Sequence, residues 1–407
     1  MCDHDRAVLT SMATVPSSTY LIVGGGMTGD AACRGIRDHD AHGSICLVAD
    51  EQHEPYARPP LSKALWKGKP EDSIWRGTAE LGVDLRVGRR IVAFDPSARS
   101  ATDDAGESYE AEVVLFATGG APRRLPSDPE GIVYFRTVDD YRRLRALAGE
   151  GVRVVVIGGG FIGSEVAAAL ATNGCSVSML FPETGIGARL FPAELAAFVN
   201  DYYREQGVDV HDGELVDAIA REGDGYRVST QSGRVLTAAA VVAGLGIVPR
   251  TDLAEAAGLE VDDGIVVDEL GRVPGHDGVF AAGDVARFPV SSLGGTRRVE
   301  HEDHANTHGR HVGANMTGAA VPYEHLPFFY SDLFDLGYEA VGDVDSRLTT
   351  TVEWVDPNRN GVICYADETG RPKGFLLWDV WGKVAAAREL IIAGEPVAVT
   401  ALRALSD

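Results

Sequence analysis

The chain has 407 residues, 45% hydrophobic and 24% charged, the composition of a globular protein with more than one core. A formal charge of −23 argues against nucleic acid or anionic membrane as a partner, and the longest apolar run, "AAAVVAGLGIVP" (238–249), is too short for the roughly 18 residues of a membrane span. Cys2, Cys33, Cys46, Cys175 and Cys364 are scattered and never spaced C-x-x-C, which fits reduced thiols in a cytoplasm and argues against a redox disulfide or a zinc ribbon.

The opening "MCDHDRAVLTSMATVPSSTY" lacks the charged and apolar regions of a signal peptide. It reads as a disordered tail, with Met12 a candidate start. "YLIVGGGMTGDAACRG" (20–35) follows: an apolar strand, glycines spaced G-x-G-x-x-G, then a helix over 30–38. A strand "SICLVAD" (44–50) and a loop come next. In "YARPPLSKALW" (56–66) the Pro-Pro pair predicts an extended segment with Arg58 and Lys63 on either side. Residues 89–123 break into short meander strands at the turn signal D-D-A-G. "RTVDDYRRLRAL" (136–147), after Arg123 and Arg124, is a basic patch on an acidic body or a solvated helix face.

At "VVVIGGGFIGSEVAAAL" (154–170) the whole series starts again. A helix (164–173), a strand "SVSMLF" (176–181), an amphipathic helix (193–207) and a second meander (214–250) follow. Both halves close on an apolar strand, a glycine and Pro-Arg, "ATGGAPR" and "AGLGIVPR", so the chain holds two copies of one dinucleotide-binding unit. Beyond them, "FAAGDVARF" (280–288) reads as a strand, a glycine turn and an acid, Asp284, opening a helix. His301, His304, His308 and His311 fall on one helical stripe, and four histidines on one helix cannot close a metal tetrahedron alone, so no metal is expected. From 326 onward come strands "TTTVEWV", "GVICYAD" and "FLLWDVW" and a helix over 383–393.

At each glycine turn the backbone can approach a pyrophosphate, and the helix N-terminus supplies N–H donors and a positive dipole end. Asp50 lies 21 residues after Gly29 and Glu183 lies 20 after Gly163, each in position to hold an adenosine ribose. Two different cofactors use two sites best, because a flavin needs a hydride donor and a nicotinamide is one. Glu183 stands where a 2′-phosphate would sit, and one unit of like charge there implies on the order of a hundredfold preference for NADH.

The segments "YARPPLSK", "ATGGAPR", "GGGFIGSE" and "AAGDVARF" resemble the FAD- and NAD(P)H-dependent ferredoxin reductases of the glutathione-reductase structural class. "RRVEHEDHA", "NMTGAAVPYEH", "SDLFDLGYEAVG" and "LLWDVWGKVAAARELI" look closer still to apoptosis-inducing factor and its bacterial relatives, and the similarity runs in order from about residue 20 to 400. This resemblance implies an α/β fold of two tandem Rossmann-like domains with a C-terminal α+β domain. Residues 1–126 and 248–325 would bind FAD, 127–247 would bind NAD, and 326–407 would form an interface domain. It implies that Gly24, Gly26, Gly29, Asp50, Arg58, Lys63, Arg123 and Asp284 hold FAD. Gly158, Gly160, Gly163, Glu183 and Glu165 would meet NADH, with Lys63 and Glu165 paired beside the flavin. The helix at Glu300 and His301 would point its N-terminus at the flavin pyrimidine ring. Glu302 and Tyr330 stand where that family usually has His and Trp, and both fall in the catalytic set. Phe328, Phe329 and Tyr330 would cover the flavin.

The function implied is a cytoplasmic FAD flavoprotein that oxidises NADH and hands electrons to a ferredoxin or rubredoxin. A homodimer through the C-terminal domain is also implied. No segment is expected to correspond to the family's mitochondrial insert and leader, which removes support for an apoptotic role. An NADH oxidase or diaphorase using oxygen or quinone stays open, as does an NADH-responsive redox sensor.

Overall fold

The computed structural model describes residues 17–406, so the tail reading and Met12 lie outside the described residues. The first sheet is built on Ser17–Val23, Ile45–Ala49 and Val83–Val87, all parallel, with Ser108–Phe116 parallel on the other side of Ser17–Val23. Ile45–Ala49 is buried at every position, as a parallel strand covered on both faces must be. The strands Ser100–Asp103 and Ile91–Asp95 extend the sheet as an antiparallel meander. Helix α1, Met27–His39, makes the crossover.

The second unit repeats the plan. Arg153–Ile157 lies between Ser176–Phe181 and Ala240–Ala243, with Asp209–Asp212 on the outer edge, all parallel. Its meander is Val216–Glu222, Gly225–Thr230 and Val235–Ala238. Helix α2, Val138–Leu147, leads in behind a capping box of Thr137 and Asp140. Helices α3, Phe161–Thr172, and α4, Ala193–Glu205, cross over.

The chain then returns to the first unit. After α5, Asp252–Ala256, the strand Val279–Ala281 pairs in parallel with Ser108–Phe116. Helix α6, Glu302–Met316, packs along α1, where a side chain on Gly35 or Gly313 would strike the other helix's backbone. On this return we propose that residues 1–126 and 248–325 form one discontinuous domain around residues 127–247. The last part is a five-stranded antiparallel sheet, in the order Phe328–Leu333, Leu336–Gly342, Pro372–Trp378, Asn360–Ala366, Thr349–Asp356. Helices α7, Val384–Ala393, and α8, Val399–Ser406, cover it, and we propose residues 326–407 as a third domain.

Several local expectations change. Helices α1 and α3 start at Met27 and Phe161, earlier than the Ala-rich pattern suggested, because each helix begins directly after the second glycine of its turn. The Pro-Pro segment is not extended: Pro59–Leu61 is a short 3-10 turn and Arg58 sits in the right-handed helical region. Asp284 opens no α-helix; it lies in the 3-10 turn Gly283–Val285, and the strand Ala286–Pro289 follows. The strands Phe328–Leu333 and Leu336–Gly342 and helix α8 had not been separated out of the sequence. Cys33, Cys46, Cys175 and Cys364 are all buried.

Candidate functional site

Both glycine turns open on one cleft of about 1260 Å³. Gly24 has φ +125° and Gly158 has φ +112°, a region that favours glycine, and each N–H is tied to the neighbouring strand, at Val48 O and Leu180 O. A side chain on Gly29 or Gly163 would strike the carbonyl oxygen of Gly24 or Gly158, so these third glycines let helix and strand close up behind the turn. Gly26 and Gly160 differ: a Cβ there meets nothing within 4 Å. They are the N-caps of α1 and α3, and neither helix has a side-chain cap. Each turn therefore offers uncapped N–H groups and open space, the conditions for binding a pyrophosphate.

On the first turn's side, Asp50 and Glu51 follow the strand Ile45–Ala49 into the cleft wall. Asp50 accepts Arg250 NH1 at 2.6 Å. Glu51 accepts Arg58 NH2 at 2.5 Å and the Tyr56 hydroxyl at 2.5 Å. Arg58 also donates to the Arg136 carbonyl at 2.9 Å, and Arg136 NH2 reaches Asp284 at 3.1 Å. Arg123 takes no part. It is exposed and outside the cleft, because the strand Gly120–Pro122 pairs with Ile247–Pro249 and the Arg123 N–H is bonded to Gly246 O. The cleft arginine comes instead from the second Pro-Arg, as Arg250.

The same cleft holds a charged cluster drawn from four segments. Glu165, on α3, is 4% exposed and Lys63 is 11% exposed, with Nζ 2.7 Å from the Glu165 carboxylate. Ser62 and Ser331 each donate a hydroxyl to Glu165 at 2.6 Å. Lys63 Nζ also sits 5.2 Å from the centre of the Tyr330 ring, a cation–π contact. The Tyr330 hydroxyl donates to Glu302 at 3.2 Å, so the two departures from the family pattern touch each other. Burial raises the Tyr330 hydroxyl well above its ordinary range.

The N-terminus of α6 points at this cluster, and Glu300, His301, Glu302 and Asp303 all border the cleft. His301 stacks on Phe329 with centroids 4.2 Å apart, and desolvation pushes it down to about 4, so it is neutral at physiological pH. Glu300 accepts Arg298 at 2.6 Å. Asp303 gathers His325 Nε2 at 2.6 Å, the Phe328 N–H at 3.2 Å and Arg388 NH2 at 3.3 Å, which ties α6 to the last sheet and to α7. The histidine stripe divides: His304 and His308 are buried beside Phe288 and Tyr323, and His311 bonds Val321 O at the surface.

On the second turn's side, Glu183 lies two residues past the strand Ser176–Phe181 and borders the cleft. Arg189 holds its carboxylate at 2.7 Å. Phe181 is fully buried, with its ring against Gly159, and leaves the polar role at this strand end to Glu183. Of the residues expected to hold a cofactor or to act in catalysis, Gly29, Gly163 and Arg123 lie off the cleft surface, and the rest border it. Glu51, Arg136, Arg250, Ser62 and Ser331 were missed. Only Arg250 carried a signal, as the duplicate of Arg123.

Residues 18–309 match the family model described as pyridine nucleotide-disulphide oxidoreductase. Residues 312–362 match the C-terminal region of apoptosis-inducing factor, mitochondrion-associated. The ferredoxin–NAD(+) reductase component of an anthranilate 1,2-dioxygenase system from Burkholderia cepacia is 35% identical, over 92% of this chain and 94% of that one. Mitochondrial apoptosis-inducing factor 1 from Dictyostelium discoideum is 31% identical, over 92% of this chain and 78% of its own length. Among solved structures, the covalent putidaredoxin reductase–putidaredoxin complex superposes with a TM-score of 0.88 at 29% identity, covering 96% of each chain.

Proposed function

The chain belongs to the pyridine nucleotide-disulphide oxidoreductase family, and on that footing we propose that it is an FAD flavoprotein that oxidises NADH and passes electrons to a small redox protein such as a ferredoxin or rubredoxin. The observation that carries the reading is that two uncapped glycine turns and the buried Lys63–Glu165 pair all border one cleft. Bound flavin would supply the change from accepting a hydride to releasing electrons singly.

The protein's own groups divide the work. Gly24, Gly26 and the α1 N-terminus hold the flavin pyrophosphate, with Asp50 or Glu51 for the ribose and Arg58, Lys63 and Asp284 along the cofactor. Gly158, Gly160 and the α3 N-terminus hold the nicotinamide dinucleotide, and Glu183 takes its ribose. Glu165 fixes Lys63 in one rotamer, so a cation faces the reacting region before substrate arrives. The α6 N-terminus adds a positive dipole end, which favours negative charge on a reduced flavin. The four buried free thiols fit the cytoplasm as the compartment.

Anaerobic mixing with NADH, followed by oxygen or candidate carriers, tests the reading. Yellow protein that NADH bleaches, and that an iron–sulfur carrier reoxidises faster than oxygen does, is the expected result. Colourless protein that takes up no FAD sinks it. The C-terminal match at 312–362 favours one second reading, an NADH-responsive sensor. A slow carrier reaction together with an NADH-driven shift from monomer to dimer would select that reading.

A further inference from the structure

Glu300, Glu302 and Asp303 stand together at the entry to α6 and border the cleft. Arg298 pairs with Glu300, and His325 and Arg388 pair with Asp303. Glu302, half-buried, has no cationic partner among the described residues. Its Oε2 accepts the Tyr330 hydroxyl at 3.2 Å, and its Oε1 makes no protein hydrogen bond among those residues. The Tyr330 oxygen donates that bond and accepts none among the described residues, so its lone pairs are free. Neighbouring groups are less able to take a proton. Glu165 is buried under Lys63, Ser62 and Ser331, and the Lys63 ammonium in that pair has no lone pair. Burial against Phe329 disfavours a proton on His301.

In the proposed reaction NADH and two one-electron acceptors give NAD⁺, two reduced acceptors and one proton. That proton is the nucleus of the transferred hydride. An iron–sulfur carrier takes electrons and no proton, so the cleft has to pass one proton to water in every cycle. We propose that Glu302 is that outlet and receives the proton through the Tyr330 hydroxyl. The inference rests on reading the Lys63–Glu165 region as the place where the flavin reacts. The hydroxyl oxygen takes the departing proton on a lone pair and gives its own to Glu302 Oε2, one O–H bond forming as the other breaks. The carboxyl group then releases a proton to water from its unpartnered side. Burial holds the Tyr330 hydroxyl protonated, so the donor is in place at rest.

Ferricyanide, which takes one electron and no proton, serves as the probe. FAD-loaded protein reduced by NADH without oxygen returns to yellow in two one-electron steps, and only the second releases the proton. Glu302→Gln and Tyr330→Phe should each slow the second step, relative to the first, by on the order of a hundredfold. A redox titration gives an equilibrium readout beside the rates. Glu302→Gln removes an unpaired negative charge and should ease reduction of the flavin by about tenfold or more, which is ~30 mV on its two-electron midpoint potential. Tyr330→Phe keeps that charge and should shift the potential by less. Glu302→Asp keeps the charge at a shorter reach, so it should hold the potential and recover only part of the second-step rate. Equal slowing of both steps in Glu302→Gln, or a second step that Tyr330→Phe leaves alone, would overturn the outlet. Protein that takes up no FAD in any form would overturn the flavoprotein reading itself, and the outlet with it.

Discussion

Replacing Lys63 with Met removes the cation from Glu165 and keeps most of the aliphatic stem. The carboxylate retains the Ser62 and Ser331 hydroxyls at 2.6 Å, present before and after, so these cancel in the difference. What changes is a 4%-exposed charge left without its partner. Removing one partner of a buried pair costs about 3–5 kcal/mol. We expect the lower end, ~3 kcal/mol, because Lys63 borders the cleft and water can enter where Nζ was. Glu165→Gln should cost a similar amount, since its amide keeps the serine contacts but strands the ammonium. The double variant should lose at least ~2 kcal/mol less than the sum, since neither charge is then left over. Urea midpoints of the three variants give the cycle. Anaerobic stopped-flow bleaching of the flavin gives its kinetic counterpart, where each ~1.4 kcal/mol lost from the transition state is a tenfold slower rate. Additive losses within ~0.5 kcal/mol would refute the reasoning, because they would mean that the two charges do not depend on each other.

Arg58→Ala should release FAD more readily than it weakens NADH, because Arg58 braces Glu51 on the first turn's side of the cleft; flavin retention after gel filtration checks this. Acid should destabilise the protein early. Burial holds His308 down to about 3 and His304 well below its ordinary value, both under the unfolded imidazole range near 6.5. The unfolded chain therefore binds more protons between about 3 and 6.5, so stability is full above that window and falls as pH drops through it, by up to about 1.4 kcal/mol per pH unit for each imidazole. His308→Gln should flatten the urea midpoint's slope between pH 7 and 5, and an unchanged slope would contradict the assignment. Carrier turnover should fall with salt if docking is electrostatic. Arg142→Glu with Arg143→Glu reverses two partly exposed charges, one of them paired with Glu71, and should lower the on-rate of an acidic carrier and flatten that dependence while leaving NADH bleaching of the flavin unchanged. An unchanged on-rate would show that the carrier docks elsewhere.

The glycine spacing carried most of the fold into the sequence, because only glycine permits a positive φ at Gly24 and Gly158 and an empty wall at Gly26 and Gly160. Those demands sit within six residues of one another, so a short window of sequence displays them whole. The cleft's other members answer to contacts between segments far apart in the chain, and no local pattern records such contacts. Ser62 and Ser331 are separated by the entire second unit and meet only on Glu165. Arg58, which holds Glu51 from nearby in the chain, is itself fixed by the carbonyl of distant Arg136. The Pro-Pro segment misled for a related reason. Proline disfavours helical geometry in the residue before it, yet Arg58 adopts that geometry, with its guanidinium held by Glu51 and by the Arg136 carbonyl. Arg123 and Arg250 show the same effect between duplicates. Both follow a proline at the close of an equivalent strand, and the sequence cannot rank them. Gly120–Pro122 and Ile247–Pro249 pair antiparallel, so the two strands leave their shared ladder in opposite directions, and only Arg250 reaches the cleft, on Asp50. Duplication supplied two equal candidates, and the pairing of the two connecting strands made them unequal.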